Sequence, residues 1–452
     1  MSTSKQEVVV LGAGIAGLLA ARVLSEFYGS VTVVERDTLP DHPSHRRGVP
    51  QGRHLHHLLS RGTQVLGEFF PGLLDELAAA GAVVLDDDDL SRIYARVGRY
   101  ELNRSETLAD PEALVLYLAS RPFLEFHVRR RVAALDNVTI IDGHDVVEPL
   151  AVADAVTGVR IVDRATGTVM ELNTGLVVDA TGRAARTTAF LDGLGYQRPP
   201  EKHTAAIWGY SSQLMSLPIE RIAERILMVD KGIGTPRGLL LAYEHDTWML
   251  AIGRSVGHGD PPADFADMLT LAESMFPATA VAALHEARPI GDTAIFRHTA
   301  AVWRRYDRMP RFPSGLLVIG DALCSLNPLY GQGMTVAALQ TVALRDCLRL
   351  GDADLAQRFF RAAAGHIGPV WAMNQANEID PSSTRRAHPL RRRLANWSAN
   401  AALKAAANDI AVTERFFRVN NLLDPPTRLR DPALLPRILL ANIRHHQPSA
   451  TR

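Results

Sequence analysis

The chain has 452 residues, 47% of them hydrophobic and 22% charged, which is enough for two or three domains with substantial cores and excludes a disordered chain. Its 49 basic and 49 acidic residues balance, which argues against a general nucleic-acid binder. Only two cysteines are present, and no apolar run reaches the roughly 18 residues of a membrane-spanning helix. We therefore expect a soluble protein of the cytoplasm.

The first predicted elements are a strand, a glycine-rich turn, a helix and a second strand. Val8–Leu11 is a short, uninterrupted apolar run, typical of a parallel strand buried on both faces. The helix is predicted to run to about Tyr28, and Val31–Val34 forms the second strand. This order is that of a nucleotide-binding β-α-β unit.

The glycine-rich turn reads Gly12-Ala13-Gly14-Ile15-Ala16-Gly17. Gly12 permits the tight turn, Gly14 lets the backbone approach a pyrophosphate, and Gly17 lets the helix pack on the strand. Glu35 ends the second strand, where its carboxylate can accept hydrogen bonds from ribose hydroxyls and would repel a 2′-phosphate. The turn therefore predicts binding of the ADP half of FAD or NAD rather than of NADP.

The middle of the chain alternates between helical and β-rich patterns. Helices are predicted over 57–70, 72–80 and 120–135, a strand pair over 91–102, a strand over 138–141 and a β-meander over 146–178. The acidic run Asp86–Asp89 lacks the spacing of a calcium loop and is predicted to be solvated. Residues 190–305 are predicted to be mainly strands (203–214, 238–254 and 293–302), with a helix near 265–276.

A second cofactor pattern appears late in the chain. The predicted strand 316–319 leads into Gly320-Asp321, and a helix is predicted over 331–348, with a helical tail from 355. A carboxylate at Asp321 can accept hydrogen bonds from a polyol chain, and Gly331 and Gly333 let the backbone approach a flat ring. The dipole of the following helix would stabilise negative charge on that ring. This second site favours FAD over NAD.

Together these motifs resemble the FAD-dependent aromatic-hydroxylase and squalene-epoxidase-like flavoprotein monooxygenases. The likeness covers most of the chain and rests on five segments: GAGIAG (12–17) with Glu35 and Arg36, GVPQGRHLHHLL (48–59), SRPFLEFHVRRR (120–131), VVDATGRAAR (177–186) and RRYDRMPRFPSGLLVIGDALCSLNPLYGQGM (304–334). The second segment and the end of the last are most similar to bacterial flavin epoxidases that act on polyether and terpenoid precursors.

The resemblance implies an α/β (α+β) fold of the p-hydroxybenzoate-hydroxylase type. It is a Rossmann-like FAD-binding fold with an interleaved β-rich substrate domain and a helical C-terminal region. The expected division is 1–189 for the first part of the FAD-binding domain, 190–305 for the substrate domain, 306–350 for the second FAD-binding part, and 351–452 for the helical region.

The resemblance also implies which residues bind FAD. They are Gly12, Ala13, Gly14, Ile15, Ala16, Gly17, Glu35 and Arg36 at the ADP half, Arg53 and Arg121 along the flavin and phosphate path, Val146 at the adenine, Asp321 at the ribityl or pyrophosphate region, and Pro328, Gly331, Gly333 and Met334 along the isoalloxazine. Four aromatic residues on predicted strands are candidates for an apolar substrate pocket, with ordinary core packing as the alternative: Trp208, Tyr210, Trp248 and Phe296.

The implied activity is that of a monooxygenase. Reduced flavin reacts with O₂ to give a C4a-hydroperoxide, which transfers one oxygen to an apolar natural-product substrate. Epoxidation of an isoprenoid or polyketide alkene is the first expectation, and aromatic hydroxylation is the second. The usual motif of NAD(P)H-using hydroxylases is replaced here by Asp179-Ala180-Thr181-Gly182-Arg183. The electron source is therefore either NAD(P)H or a flavin reductase partner. The alternatives are a flavin-dependent reductase or dehydrogenase of an isoprenoid double bond, and a non-redox flavin-binding protein.

Three further features are interpreted as structural. His54, His56 and His57 do not share one helical face, so no metal site is predicted. Cys324 is predicted to be a small buried residue rather than a redox-active thiol. The basic stretch 385–393 and Lys404, with Leu390, Leu394 and Trp397 interleaved, are predicted to form a solvated helix face rather than a membrane-surface helix.

Overall fold

The computed structural model describes residues 7–204, 208–232, 234–255, 257–297, 300–378 and 399–444. The strands are β1 (Glu7–Leu11), β2 (Ser30–Val34), β3 (Val83–Leu85), β4 (Ile93–Val97), β5 (Tyr100–Glu101), β6 (Leu116–Leu118), β7 (Val138–Ile141), β8 (His144–Val152), β9 (Ala155–Asp163), β10 (Val169–Asn173), β11 (Leu176–Asp179), β12 (Glu201–His203), β13 (Trp208–Ser216), β14 (Ile226–Asp230), β15 (Arg237–Tyr243), β16 (Thr247–Ser255), β17 (Arg288–Phe296), β18 (Val302–Arg304), β19 (Leu316–Val318) and β20 (Cys324–Ser325). The helices are α1 (Ile15–Leu24), α2 (Ser60–Phe69), α3 (Leu73–Ala79), α4 (Arg121–Ala133), α5 (Thr187–Gly193), α6 (Phe265–Glu273), α7 (Ala278–Glu286), α8 (Gly333–Arg349), α9 (Leu355–Glu378), α10 (399–406), α11 (Ile410–Asn420) and α12 (Leu435–Arg444).

A parallel five-stranded sheet carries both predicted nucleotide motifs. Its strand order is β19-β11-β1-β2-β7, and every neighbouring pair is parallel. The strands predicted at 8–11, 31–34, 138–141 and 316–319 are all confirmed. Because the strands run in one direction, the glycine turn after β1, Glu35 after β2 and Gly320 after β19 lie at the same edge. This arrangement confirms the Rossmann-like fold with its pieces interleaved along the chain.

Two of the predicted helices have shorter bounds. α1 ends at Leu24 rather than near Tyr28, because the Glu26 and Phe27 amides bond to carbonyls three residues back and tighten the turn. α2 begins at Ser60 rather than at His57. The His56 N–H donates to Tyr243 Oη, which holds the chain extended before the helix starts.

The predicted β-meander is an antiparallel sheet in the order β10-β9-β8. β8 starts beside the end of β2, since the His144 amide donates to the Glu35 carbonyl over 2.9 Å. The register between β8 and β9 shifts just after Val146. The meander therefore reaches the nucleotide edge of the parallel sheet.

The β-rich middle of the chain forms most of a seven-stranded sheet ordered β17-β13-β16-β15-β14-β4-β5. Its last two strands come from residues 93–101, where a strand pair is predicted, so residues 190–305 do not form this sheet alone. The prediction of one strand over 238–254 is wrong: this segment is a hairpin of β15 and β16. His245 and Asp246 take positive φ angles of 56° and 54° at its turn, which the sequence pattern does not indicate.

The two faces of the seven-stranded sheet are buried by different parts of the chain. One face packs against α6 and α7 through a cluster that includes Trp248, Leu250 and Met268. The opposite face packs against the C-terminal helices through Met249, Ala405 and Val412. The C-terminal region therefore covers the face of the sheet that also meets the FAD-binding part.

Three features of the chain bear on membrane, metal and surface-charge contacts. Among the described residues, no helix is long and apolar enough to cross a membrane, and no cluster of ligands suits a metal ion. In the acidic run, Asp87 lies 3.2 Å from Arg92. The basic stretch 385–393 and its apolar neighbours lie outside the described residues.

Candidate flavin and substrate site

The glycine turn after β1 has the geometry that each of its glycines is predicted to provide. Gly12 has a φ of +100°, and its amide donates to the Val34 carbonyl over 2.7 Å. A Cβ added to Gly17 would lie 1.9 Å from the Gly12 carbonyl oxygen, so only glycine lets α1 pack this closely. A Cβ added to Gly14 would meet no atom within 4 Å. The N-terminus of α1 therefore faces open space, as a pyrophosphate cradle requires.

Glu35 is buried at the end of β2 and is held by main-chain amides. Its Oε2 accepts from the Ala13 amide over 2.8 Å, and its Oε1 accepts from the Asp37 amide over 3.0 Å. Arg46 Nη1 lies 3.3 Å from the same Oε2. Arg46 therefore compensates the buried Glu35 carboxylate.

Arg46 is the centre of a buried charge cluster that the sequence interpretation missed. Its Nε donates to Glu125 Oε1 over 2.8 Å, and its Nη2 donates to the Ala13 carbonyl over 3.2 Å. Burial opposes the charged guanidinium, but the carboxylates of Glu125 and Glu35 outweigh it and raise the Arg46 pKa. This cluster ties α4 and the loop after β2 to the glycine turn.

Gln51 links two of the predicted cofactor residues. Its Oε1 accepts from Arg121 Nη1 over 3.0 Å, while its Nε2 donates to Asp321 Oδ2 over 3.2 Å. Arg121 Nη1 also lies 3.3 Å from His56 Nε2. Gln51 was not a predicted site residue, although it lies in a segment that carries the family resemblance.

The second predicted flavin element is a short turn followed by α8. Asn327 Oδ1 accepts from the Leu329 amide over 3.1 Å, and Gly331 has a φ of +64°. A Cβ added to Gly331 would lie 4.0 Å from the His57 Cβ, whereas one added to Gly333 would meet nothing within 4 Å. Pro328 is partly buried before this turn and Met334 is buried at the start of α8. The turn thus leaves open space at the helix N-terminus, which fits a flat ring bound there.

Three of the residues assigned to FAD by resemblance lie apart from these contacts. Arg36 and Arg53 are exposed, and Arg36 Nε lies 3.9 Å from Asp37. Val146 is partly buried on β8.

The other two non-glycine residues at the start of α1 pack inward. Ile15 is buried, and the Ala16 Cβ lies 2.6 Å from the position that a Cβ on Gly320 would take. The glycine turn therefore packs directly against the end of β19.

The four aromatic candidates for the substrate pocket divide between the faces of the seven-stranded sheet. Tyr210 and Phe296 stack with ring centroids 5.0 Å apart on adjacent strands. Trp208 is buried on the same face of β13 and lies under the Arg237 guanidinium, 4.1 Å from its ring centroid. Trp248 belongs to the face covered by α6 and α7, and its Nε1 donates to the Leu217 carbonyl. Its position matches the alternative of ordinary core packing.

The stacked pair lies next to the second flavin element. A Cβ added to Gly253 on β16 would lie 3.5 Å from the Tyr210 Cβ and 3.7 Å from the Leu329 Cδ1. His54 connects the two parts: its Nδ1 lies 3.1 Å from Ser212 Oγ on β13. The apolar end of the sheet and the flavin turn therefore face each other.

Burial shifts the pKa values of the titratable groups at this junction. It lowers the pKa of His54 to about 4 and that of His57 to about 4. Burial, with Arg121 beside it, lowers the pKa of His56 to about 3. Burial, with Asp321 nearby, raises the pKa of the Cys324 thiol well above its usual value. The histidines are therefore neutral at pH 7, and the Cys324 thiol is protonated rather than a reactive thiolate.

The chain is similar to known proteins in both sequence and structure. The chain is 38% identical to Protein Rv3254 of Mycobacterium tuberculosis, over 99% of this chain and 98% of that protein. This chain belongs to the family of Protein Rv3254. It is also 27% identical to kynurenine 3-monooxygenase of Salinispora arenicola, over 77% of this chain and 73% of that one. No family model matches the chain.

Solved structures share the fold at low sequence identity. PqsL, a probable FAD-dependent monooxygenase from Pseudomonas aeruginosa, aligns over 90% of this chain and 98% of its own with a TM-score of 0.59 and 17% identity. The p-nitrophenol 4-monooxygenase PnpA from Pseudomonas putida aligns over 94% and 100% with a TM-score of 0.65 and 16% identity. This member of the Rv3254 family has the fold of FAD-dependent monooxygenases. Together, the relatives and the fold indicate an FAD-dependent monooxygenase.

Proposed function

We propose that this protein transfers one oxygen atom from O₂ to an apolar small molecule bound between the seven-stranded sheet and the turn before α8. The observation that carries the proposal is the meeting of these two parts at Tyr210, Gly253 and Leu329. Of the two reactions open to such an enzyme, we propose aromatic hydroxylation ahead of alkene epoxidation. The stacked Tyr210 and Phe296 rings favour a flat ligand, and the names of kynurenine 3-monooxygenase and p-nitrophenol 4-monooxygenase denote aromatic substrates.

FAD fits the residues present at the edge of the parallel sheet. The free N–H groups at the start of α1 would hold its pyrophosphate, and Asp321 would accept hydrogen bonds from its polyol chain. Gly331 and Gly333 would allow its ring close to the backbone. Bound there, FAD supplies the reduction of O₂ and the transfer of oxygen.

The chain itself supplies charge stabilisation and an apolar environment. α8 is 17 residues long, and its N-terminal dipole favours negative charge at the turn before it. Arg121 adds a positive charge that Gln51 orients. The aromatic face of the sheet, with Leu329 opposite, excludes water from the space where oxygen transfer would occur.

The electron source is either NAD(P)H or a reductase partner, and one spectroscopic experiment separates them. The purified protein, incubated with FAD, is expected to retain a flavin absorbance band. Anaerobic addition of NADH or NADPH that bleaches this band would identify a direct donor, whereas a persistent band would require a separate reductase. Absence of a flavin band after incubation with FAD would overturn the proposed function.

The oxygenation itself is tested with labelled oxygen. With the flavin reduced chemically or by the donor just identified, ¹⁸O₂ is admitted in the presence of a panel of phenols, aryl ketones and terpenoid alkenes. Incorporation of one ¹⁸O atom into a product supports the proposal, and the position of the label distinguishes ring hydroxylation from epoxidation. Reduction of the substrate without label would instead indicate a flavin-dependent reductase.

A further inference from the structure

His54 leaves the FAD-binding part of the chain and packs into the aromatic face of the seven-stranded sheet. Its ring centroid lies 5.0 Å from that of Tyr210 and 5.8 Å from that of Phe296, with interplanar angles of 73° and 82°. Only 9% of its surface is exposed. We call the rings of His54, Tyr210 and Phe296 the aromatic corner.

The hydrogen bond to Ser212 determines which imidazole nitrogen carries the proton. Ser212 is 1% exposed, and within the described part of the chain its hydroxyl has His54 Nδ1 as its sole side-chain partner, at 3.1 Å. A buried hydroxyl with one available acceptor donates to it, because an unpaired buried O–H is costly. Since burial keeps the imidazole neutral at pH 7, the proton then resides on Nε2.

The Nε2–H group has no acceptor among the described residues. His54 Nε2 is not among the fully buried unpaired polar atoms of the described residues, so it reaches space from which a ligand or water can supply the acceptor. The aromatic corner lies beside Leu329 of the flavin turn, so a ligand that fills this gap would also lie at the proposed reaction site.

We propose that His54 is a substrate-specificity residue: its Nε2–H donates a hydrogen bond to a carbonyl or hydroxyl oxygen on a flat, conjugated substrate that packs against Tyr210 and Phe296. Ser212 is the positioning residue, since it fixes the tautomer and orientation of the imidazole without touching the substrate. This inference rests on the proposed function, because it assumes that the oxygen acceptor binds at the aromatic corner.

The test compares two flat ligands of similar shape, one with an acceptor oxygen and one without. Equilibrium dialysis of the FAD-loaded protein against 1-acetonaphthone and 1-ethylnaphthalene gives the ratio of their dissociation constants. The wild-type protein is expected to bind the ketone more tightly, and His54→Phe is expected to lose about three- to tenfold of that preference while keeping affinity for the hydrocarbon. Ser212→Ala is expected to lose part of the preference, and Ser212→Thr to retain it.

The matched control is His285→Phe, since His285 is exposed and pairs with Glu273 away from the site. Its ligand preference should equal that of the wild type. Failure of the wild type to prefer the ketone, failure to bind either ligand, or an unchanged preference in both His54→Phe and Ser212→Ala would overturn the inference. If His54→Phe does not fold, the ligand preferences of Ser212→Ala and Ser212→Thr test the inference instead.

Dialysis needs no turnover, so the two proposals fail separately. A protein that discriminates between the ligands through His54 but incorporates no ¹⁸O would contradict the proposed oxygenation and leave the role of His54 intact. If the protein oxygenates an aromatic substrate but His54→Phe leaves the ligand preference unchanged, the role of His54 is contradicted and the proposed oxygenation stands.

Discussion

Gln51 Nε2 donates a 3.2 Å hydrogen bond to Asp321 Oδ2, across 270 positions of sequence. The same side chain accepts from Arg121 at its other end. Three elements therefore meet at the Gln51 side-chain amide: the segment after β2, the segment after β19 and helix α4, which begins at Arg121. An amide suits this position because it accepts from a cation and donates to an anion at once.

Replacing Gln51 should weaken FAD binding rather than the fold. Gln51→Leu removes both hydrogen bonds and leaves Asp321 and Arg121 free to reorient, so we expect about a tenfold rise in the FAD dissociation constant. Quenching of FAD fluorescence measures it. Gln64→Leu, at an exposed position of α2, is the matched control and should bind FAD like the wild type. Equal FAD affinity in both variants would show that the hydrogen bonds of Gln51 do not position Arg121 and Asp321 for the cofactor.

Two glycines of the same turn should respond differently to alanine. Gly17→Ala places a Cβ against the Gly12 carbonyl, and we expect a loss of about 3 kcal/mol or more in the free energy of unfolding. Gly14→Ala meets no protein atom and has an ordinary φ of −78°, so its thermal midpoint should be close to wild type. Its added methyl group would instead occupy the pyrophosphate space and lower FAD affinity about tenfold. Thermal unfolding with and without FAD checks both variants, and normal FAD binding by Gly14→Ala would contradict the cradle.

Removing the buried cation Arg46 should destabilise the protein strongly. Arg46→Leu leaves the carboxylates of Glu35 and Glu125 buried without their partner, which typically costs about 3–5 kcal/mol. Urea unfolding measures the change. The control is Arg198→Leu, which breaks an exposed ion pair with Asp192 and should leave the urea midpoint unchanged. Similar midpoints for the two variants would mean that solvent reaches the cluster around Arg46.

The buried histidines predict a loss of stability in mild acid. The pKa of His57 is about 4 in the folded protein and about 6.5 when unfolded, so the unfolded state binds the proton first as the pH falls. The contribution of His57 to the free energy of unfolding should be fully present above pH 7 and decline as the pH falls from 6.5 to 4. His57→Gln should reduce the loss between pH 7.5 and pH 5 by about 2 kcal/mol. Urea titrations at both pH values test this, with the exposed Gln64→Leu, which changes no titratable group, as a control that should keep the wild-type pH dependence.

The main elements of the FAD-binding part follow from local sequence pattern. Continuous apolar runs predicted the strands of the parallel sheet, and glycine spacing predicted the turn between β1 and α1, because both depend on a few adjacent residues. The hairpin at His245 and Asp246 was missed, since two non-glycine residues take positive φ there without a turn motif. The place of Trp248 was also undecided, because alternation along β16 does not say which face meets the flavin turn.

The contacts of the site depend on residues that are distant in sequence. Arg46, Gln51, His54 and Ser212 are ordinary polar residues in the sequence and become informative through Glu125, Asp321 and the aromatic corner. Their partners lie 79 residues away for Arg46, 270 for Gln51 and 158 for His54, beyond the reach of any local periodicity.

By itself, the sequence determined the nucleotide-binding β-α-β unit, the second glycine motif before α8 and the order of FAD-binding and β-rich segments, because backbone sterics and hydrophobic periodicity act over a few residues. Only the tertiary structure decided which side chains of the seven-stranded sheet face the flavin turn and which polar groups are paired. Those outcomes depend on strand pairing and on the packing of one part of the chain against another, where burial decides the charge and the partner of each group.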